Sequence, residues 1–262
     1  MTRNEEKIEE YWEVRSDSYS EQNIEEMNSW KLEAWRKKIL SAAPDGECLK
    51  VLDIGTGPGF FAMNLALAGH DVTAVDLNMA MLQHAKKNAE SYGAKIQFEQ
   101  MNGDRLQFPD NSFDLVVNRN IIWNLEQPEQ AIREWKRVLK PGGRMVYFDA
   151  NWYLYLFDED VAKKRAEGQR QAGALYPERT SYSGNVSNAE VHMLEEVSRT
   201  LPLSPIHRPQ WDRRFLTEIG MKIVQIQEDI SSDVLDEWET LMYIADPMFM
   251  VCAEKYHIDA KD

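Results

Sequence analysis

The chain is predicted to be an α/β protein built on a doubly wound, mostly parallel sheet, and three observations carry that prediction. Short β-branched apolar runs alternate with amphipathic helical stretches through the first half of the chain. The first run, Val51–Ile54, stops at Gly55-Thr56-Gly57-Pro58-Gly59 just before a helix opens near Phe60. Polar residues recur where strands should end, at Asp53, Asp76, Asp104 and Asn118. In such a sheet ligands gather beyond the carboxyl ends of the strands, so these four residues converge on one rim.

Each element follows from its own pattern. Asn4–Arg15 and Asn23–Leu40 read as two leading helices, separated by the polar stretch Ser16–Gln22. Tyr11 and Tyr19 on this segment either pack as core or form a flap over a ligand. Pro44-Asp45-Gly46 marks a boundary. Glycines at alternate positions after the first strand let the chain turn tightly and let a ligand approach with no Cβ in the way. The helix Phe60–Ala68 turns unpaired N–H groups toward that ligand, and Gly69 closes it. Val72–Asp76 is the second strand, and Asn78 caps a helix over Met79–Ser91 that Gly93 ends. Lys95–Met101 and Phe113–Asn118 are the third and fourth strands. Pro128–Leu139 is an amphipathic helix with Ala131, Ile132, Trp135 and Val138 on one side. It ends in Lys140-Pro141-Gly142-Gly143, and Arg144–Asp149 is the fifth strand.

Residues 151–208 break the alternation. They hold the run Trp152-Tyr153-Leu154-Tyr155-Leu156-Phe157, a charged helix Glu159–Gln171, loops at Tyr176 and Tyr182, and a helix Ala189–Thr200. So long an interruption reads as an inserted lid or recognition element. Pro209–Ile219 returns to helix, and Lys222–Ile230 and Met248–Glu254 are the closing strands. The expected division is a helical flap at 1–43, a cofactor-binding core at 44–150, the inserted lid at 151–208 and the end of the sheet at 209–262.

Composition narrows the function. The 262 residues carry a net charge of −14, opposite to what a protein neutralising many phosphates needs, so no nucleic-acid partner is expected. The charged start of the chain offers no secretory signal, and no apolar run reaches membrane-spanning length, so neither export nor a membrane partner is expected. Cys48 and Cys252 have no zinc spacing, and no metal site is expected; a cytoplasmic location is.

Gly57-x-Gly59-x-x-Ala62 formally fits a dinucleotide fingerprint, with Asp76 at the spacing of a ribose-binding acid. An NAD(P)-dependent oxidoreductase is therefore one reading. Asp53, however, would repel a pyrophosphate and suits an ammonium or sulfonium group. Here the chain resembles the class I S-adenosylmethionine-dependent methyltransferases, specifically the type-11 methyltransferase domain and its quinone-biosynthesis C-methyltransferases. The resemblance is carried, in family order, by VLDIGTGPGFF (51–61), VTAVDLNMAML (72–82), NGDRLQFPDNSFDLVVNRN (102–120) and EWKRVLKPGGRMVYFD (134–149).

The resemblance implies a Rossmann-like seven-stranded sheet of order 3-2-1-4-5-7-6 with the last strand antiparallel. It implies S-adenosyl-L-methionine as cofactor, S-adenosyl-L-homocysteine as product and a small-molecule methyl acceptor. Residue by residue, Gly55, Thr56, Gly57 and Gly59 would lie under the methionine portion, with Asp53 near its amino group and Tyr19 above. Asp76 would bind the ribose hydroxyls, with Leu77 and Met81 beside the adenine. Asp104 would take the adenine amino group, with Gly103 and Arg105 in the same loop, and Asn118 and Arg119 would border the reactive methyl. No residue declares itself a base. His192 and Tyr153 are the catalytic candidates, each with a packing alternative, and His207, beside the inserted region, is weighed in the same way as His192; His70, His84 and His257 are further histidines without an assigned role. Tyr155, Tyr176, Tyr182, Trp211 and Asn151 are candidate pocket residues. A partner protein that binds the cofactor without turnover is the remaining alternative.

Overall fold

The computed structural model describes residues 2–179 and 187–256. Seven strands form one sheet of order β3-β2-β1-β4-β5-β7-β6. They are β1 Lys50–Ile54, β2 Asp71–Asp76, β3 Ile96–Gln100, β4 Phe113–Arg119, β5 Leu139–Asp149, β6 Met221–Gln227 and β7 Phe249–Lys255. The first five pair in parallel, and β7 runs antiparallel to both β5 and β6. This is the sheet order implied above, and it departs from a dinucleotide-binding fold, whose sheet is parallel to its edge.

The continuous apolar runs are explained by burial on both faces. On one face Val51, Leu115, Val117 and Phe148 pack with α2 (Lys31–Ala42) and α3 (Phe60–Leu67). There Trp35, Phe61 and Phe148 meet edge to face at 5.0–5.6 Å between centroids. On the other face Leu52, Val116, Met145 and Tyr147 pack under α5 (Pro128–Val138) and α8 (Gln210–Glu218), with Trp135 fully buried. Asn78 caps α4 (Met79–Tyr92) by accepting from Met81 N–H at 3.0 Å, and Gly93 ends it in the left-handed region.

Two expectations are corrected. The leading segment is one helix, α1 (Arg3–Met27), with no break at Ser16–Gln22. Its polar residues bond back into the helix instead: the Ser16 hydroxyl donates to Glu13 C=O and the Asn23 amide to Tyr19 C=O. The break falls at 28–30, where the Asn28 side chain takes the Ile24 carbonyl and Ser29 accepts from Lys31 N–H. Second, pairing in β5 begins at Leu139 opposite Phe113, and Lys140–Gly143 bulges out before the register resumes at Arg144 opposite Leu115. The chain between the last two strands holds two short helices, α9 (Ser231–Val234) and α10 (Glu237–Met242).

The stretch after β5 contains a 3₁₀ turn at Leu154–Leu156 and two helices, α6 (Glu159–Leu175) and α7 (Asn188–Ser198). Helix α1 lies across the carboxyl ends of the strands, touching α4, α7 and α3. Among the described residues no helix is long and apolar enough to cross a membrane.

Candidate cofactor and acceptor site

Beyond the carboxyl ends of β1, β2 and β4 lies a cavity of about 630 Å³, roofed by α1. Gly55 and Gly57 form its floor at φ +64° and +54°. A Cβ on Gly55 would collide with Ile121 Cδ1, so that position requires glycine twice over, while Gly57 requires it through its positive φ, with the Tyr19 ring at contact distance. Asp76, ending β2, accepts from Gly57 N–H at 2.8 Å and from Asn78 N–H at 2.9 Å. Leu77 N–H approaches it as well, and the carboxylate lines the cavity. Burial pushes its pKa up to about 6. Leu77, Met81 and Gly103 continue the same wall. Asp104 follows, with Oδ1 buried and carrying no hydrogen bond among the described residues; the nearest cation, Arg105 Nε, is 3.7 Å away. Burial raises its pKa as well.

This donor set fits an adenosyl group. A ribose diol is bound by a carboxylate acceptor such as Asp76 and an exocyclic amine by one such as Asp104, and both residues line the cavity. Leu77 and Met101 line it too.

Other expected residues are placed elsewhere. The Asp53 carboxylate does not reach the cavity. It turns into the glycine loop, accepting from the Thr56 hydroxyl at 2.6 Å and from Ala62 N–H, and burial pushes its pKa up to about 7. Thr56 is committed to that bond. Gly59 packs against Ala85 at the start of α3. Both polar atoms of Asn118 are buried behind the wall without a partner among the described residues. The Arg105 side chain is exposed and faces an outer groove, which Trp211 also lines while stacked on Phe215.

Arg119 does border the cavity, but as a structural cation. Glu26 of α1 accepts from its Nη2 at 2.9 Å, and the rings of Trp35, Phe60 and Phe61 lie 4.8–5.2 Å from its guanidinium carbon. His192 is corrected outright: its side chain is 76% exposed on α7, pairing with Glu195 at 3.3 Å, because the cavity side of that helix is taken by Asn188, Val191 and Leu194. Tyr153 lines the cavity, tilted against Trp123 at 5.1 Å and Tyr155 at 6.0 Å, and burial drives its phenol pKa far up. His70 accepts from Leu49 N–H, His84 faces Asp17, and His207 faces Asp158. Tyr176 donates to Glu237, and the Asn151 side chain is tied to the Arg208 backbone. Tyr182 and His257 lie outside the described residues.

The structure adds residues that the sequence reading passed over. Trp12 and Arg15 line the cavity from α1, and Asn120, at φ +60°, lines it just after β4. The spacing Tyr11-Arg15-Tyr19, one helical turn apart, was a usable signal for the first group once the helix was known to be unbroken.

Residues 52–147 match the methyltransferase domain family. Residues 52–147 are thus similar to that family's domain, on a sheet of the order given above. Among curated relatives, it is 40% identical over 116 residues to the malonyl-[acyl-carrier protein] O-methyltransferase of Erwinia pyrifoliae, covering 42% of this chain and 41% of that protein. It is 35% identical over 120 residues to the ubiquinone/menaquinone biosynthesis C-methyltransferase UbiE of Hahella chejuensis, covering 44% and 48%. The chain thus spans less than half the length of these two relatives. A Haemonchus contortus phosphoethanolamine N-methyltransferase 2, solved with S-adenosyl-L-methionine, shares the fold at a TM-score of 0.58 and 17% identity, over 85% of this chain and 52% of that one.

Proposed function

We propose that this protein is an S-adenosyl-L-methionine-dependent methyltransferase that passes a methyl group to a small-molecule acceptor by in-line displacement. The observation carrying the reading is Asp76, held by backbone N–H groups at the end of β2, where it lines the cavity. The curated relatives are methyltransferases by name, and their identity lies in this core. When bound, the cofactor would supply a methyl group already activated by its bond to a sulfonium sulfur, which leaves as the neutral thioether.

What the chain contributes is binding and alignment. Asp76 takes the ribose, Asp104 the adenine amino group, and Leu77 and Met81 flank the base. The glycine floor leaves room for the methionine portion under Tyr19. The roof of α1 and α7 excludes water from the reacting atoms. Tyr153 acts as a hydrogen-bond donor rather than a base, because burial keeps its phenol protonated. Helix α1 and residues 151–208 serve as flap and lid. The net charge of −14 argues against a nucleic-acid acceptor, and the two unpaired cysteines suit the cytoplasm.

Isothermal titration with S-adenosyl-L-homocysteine and, separately, NAD(H) tests the reading. Saturable binding of the homocysteine product alone is expected; binding of the dinucleotide alone would overturn it. Labelled methyl transfer to a panel of acceptors then separates an enzyme from a cofactor-binding partner protein.

A further inference from the structure

Past the adenosyl end, the cavity continues between α1, α6, α7 and α10 into a chamber walled by Trp152, Tyr153, Tyr155, Met242 and Tyr243. Most charge around it is internally balanced. Arg165 donates to Asp246 at 2.6 Å, Arg119 to Glu26 at 2.9 Å, and Lys31 to both oxygens of Glu239 at 2.5 and 2.6 Å.

Arg15 is the exception. It lines the cavity, is only 9% exposed, and has no carboxylate at ion-pair distance among the described residues. Gln22 Oε1 at 3.4 Å, the Tyr19 ring at 5.6 Å and the Tyr11 hydroxyl beside it are neutral. A buried guanidinium without a counter-charge is costly, and an incoming anion removes that cost.

Its place on the helix says which end of the cavity it serves. Tyr11, Arg15 and Gln22 form one row along α1, at i, i+4 and i+11. Ser16, Ser20 and Asn23 form a neighbouring row, about 100° around the helix, that packs toward α4, where Ser20 meets Asn88 at 3.1 Å. The Arg15 row is thus turned from the adenosyl side, and Tyr243, at the end of α10, feels its charge. The hydroxyls of Tyr243 and Tyr153 carry no hydrogen bond to any described residue.

We propose that the methyl acceptor is a small carboxylic acid, its carboxylate held by Arg15 and by phenol donors from Tyr11 and Tyr243. The assignment rests on the methyltransferase reading above. The guanidinium fork matches a carboxylate in a bidentate way that an amide cannot reproduce, and Trp152 and Met242 cover the apolar body of the acid.

The test uses protein saturated with S-adenosyl-L-homocysteine, titrated with paired aromatic and aliphatic acids and their primary amides, such as 4-hydroxybenzoate against 4-hydroxybenzamide. In the wild type at least one acid should bind about tenfold more tightly than its amide, and Arg15→Gln should abolish the difference. Arg15→Lys should restore part of it. Affinity of Arg15→Gln for S-adenosyl-L-homocysteine should stay within about twofold, which also reports that the variant folds. Two outcomes overturn the proposal. One is no acid preferred over its amide. The other is Arg15→Gln losing the homocysteine product about tenfold while keeping 5′-methylthioadenosine, which would give Arg15 to the cofactor's own carboxylate. Failure of the wild type to bind S-adenosyl-L-homocysteine would instead remove the methyltransferase reading itself.

Discussion

Asp76 is held by the backbone and still open to a ligand, and its substitution is the sharpest single-residue test of the site. Asp76→Ala should weaken S-adenosyl-L-homocysteine binding by more than tenfold, about 1.4 kcal/mol or more, read by calorimetry. Unchanged affinity would discredit the ribose assignment. Protonation should imitate the substitution. With its pKa pushed up to about 6, Asp76 loses acceptor capacity as pH falls from 8 to 5, and affinity at pH 5 should be about tenfold below its plateau. Folding stability of the ligand-free protein should move the other way. Asp53, at about 7, and Asp76, at about 6, both lie above the ordinary aspartate value of 3.8, so the native state holds more protons than the unfolded chain between those limits. That contribution is complete below 3.8 and is lost as pH rises through 6 and 7. The melting temperature should therefore climb on acidification from pH 8 to about 5.5, and Asp53→Asn should flatten the climb. A fall over that range would count against the buried, strained state of these acids.

At the scale of elements, the inserted stretch is held to the sheet by a buried ionic network. Arg208, just before α8, donates to Asp149 at 2.6 Å and to both oxygens of Asp212 at 2.7 and 3.0 Å; Tyr147 also donates to Asp212 at 2.7 Å. Asp149 in turn accepts from Trp123 N–H, fixing a second 3₁₀ turn, Ile122–Asn124, that carries a cavity-lining tryptophan. Arg208→Ala leaves two carboxylates buried without their cation and should cost about 3–5 kcal/mol in chemical denaturation, against little for the exposed pair Lys163–Asp160. The i,i+4 spacing of Arg208 and Asp212 was visible in the sequence, but its burial was not. The same limit misplaced the break in α1. Ser16–Gln22 is polar enough to read as a loop, and only its packing against α4 shows that these serines and Asn23 face inward and stay helical.

For the whole molecule, cofactor binding should couple the roof to the sheet, since the cavity is lined by α1 as well as by the strand ends. Ligand at about 100 times its dissociation constant adds about 2.7 kcal/mol to stability. For a chain of this size that corresponds to a rise of about 5–10 °C in melting temperature. Hydrogen exchange should show protection of α1 together with the glycine loop. Protection confined to the loop would mean that the helix is not part of the closed site.

The alternation of apolar runs and helices, the glycine turn and the four motifs were enough to set the order of the core elements and to bring Asp76 and Asp104 to the cavity. Those features are local: a strand's period, a turn's backbone demands and an acid a fixed distance along the chain survive without knowing what packs where. Side-chain direction is not local. Asp53 and Asp76 end neighbouring strands with the same chemistry, yet the first closes on Thr56 and the second opens to the cavity. His192 likewise turns to solvent and Arg15 to the cavity once α7 and α1 take their rotation. Only tertiary packing, by choosing which face of each helix is buried, decides which charges meet a ligand.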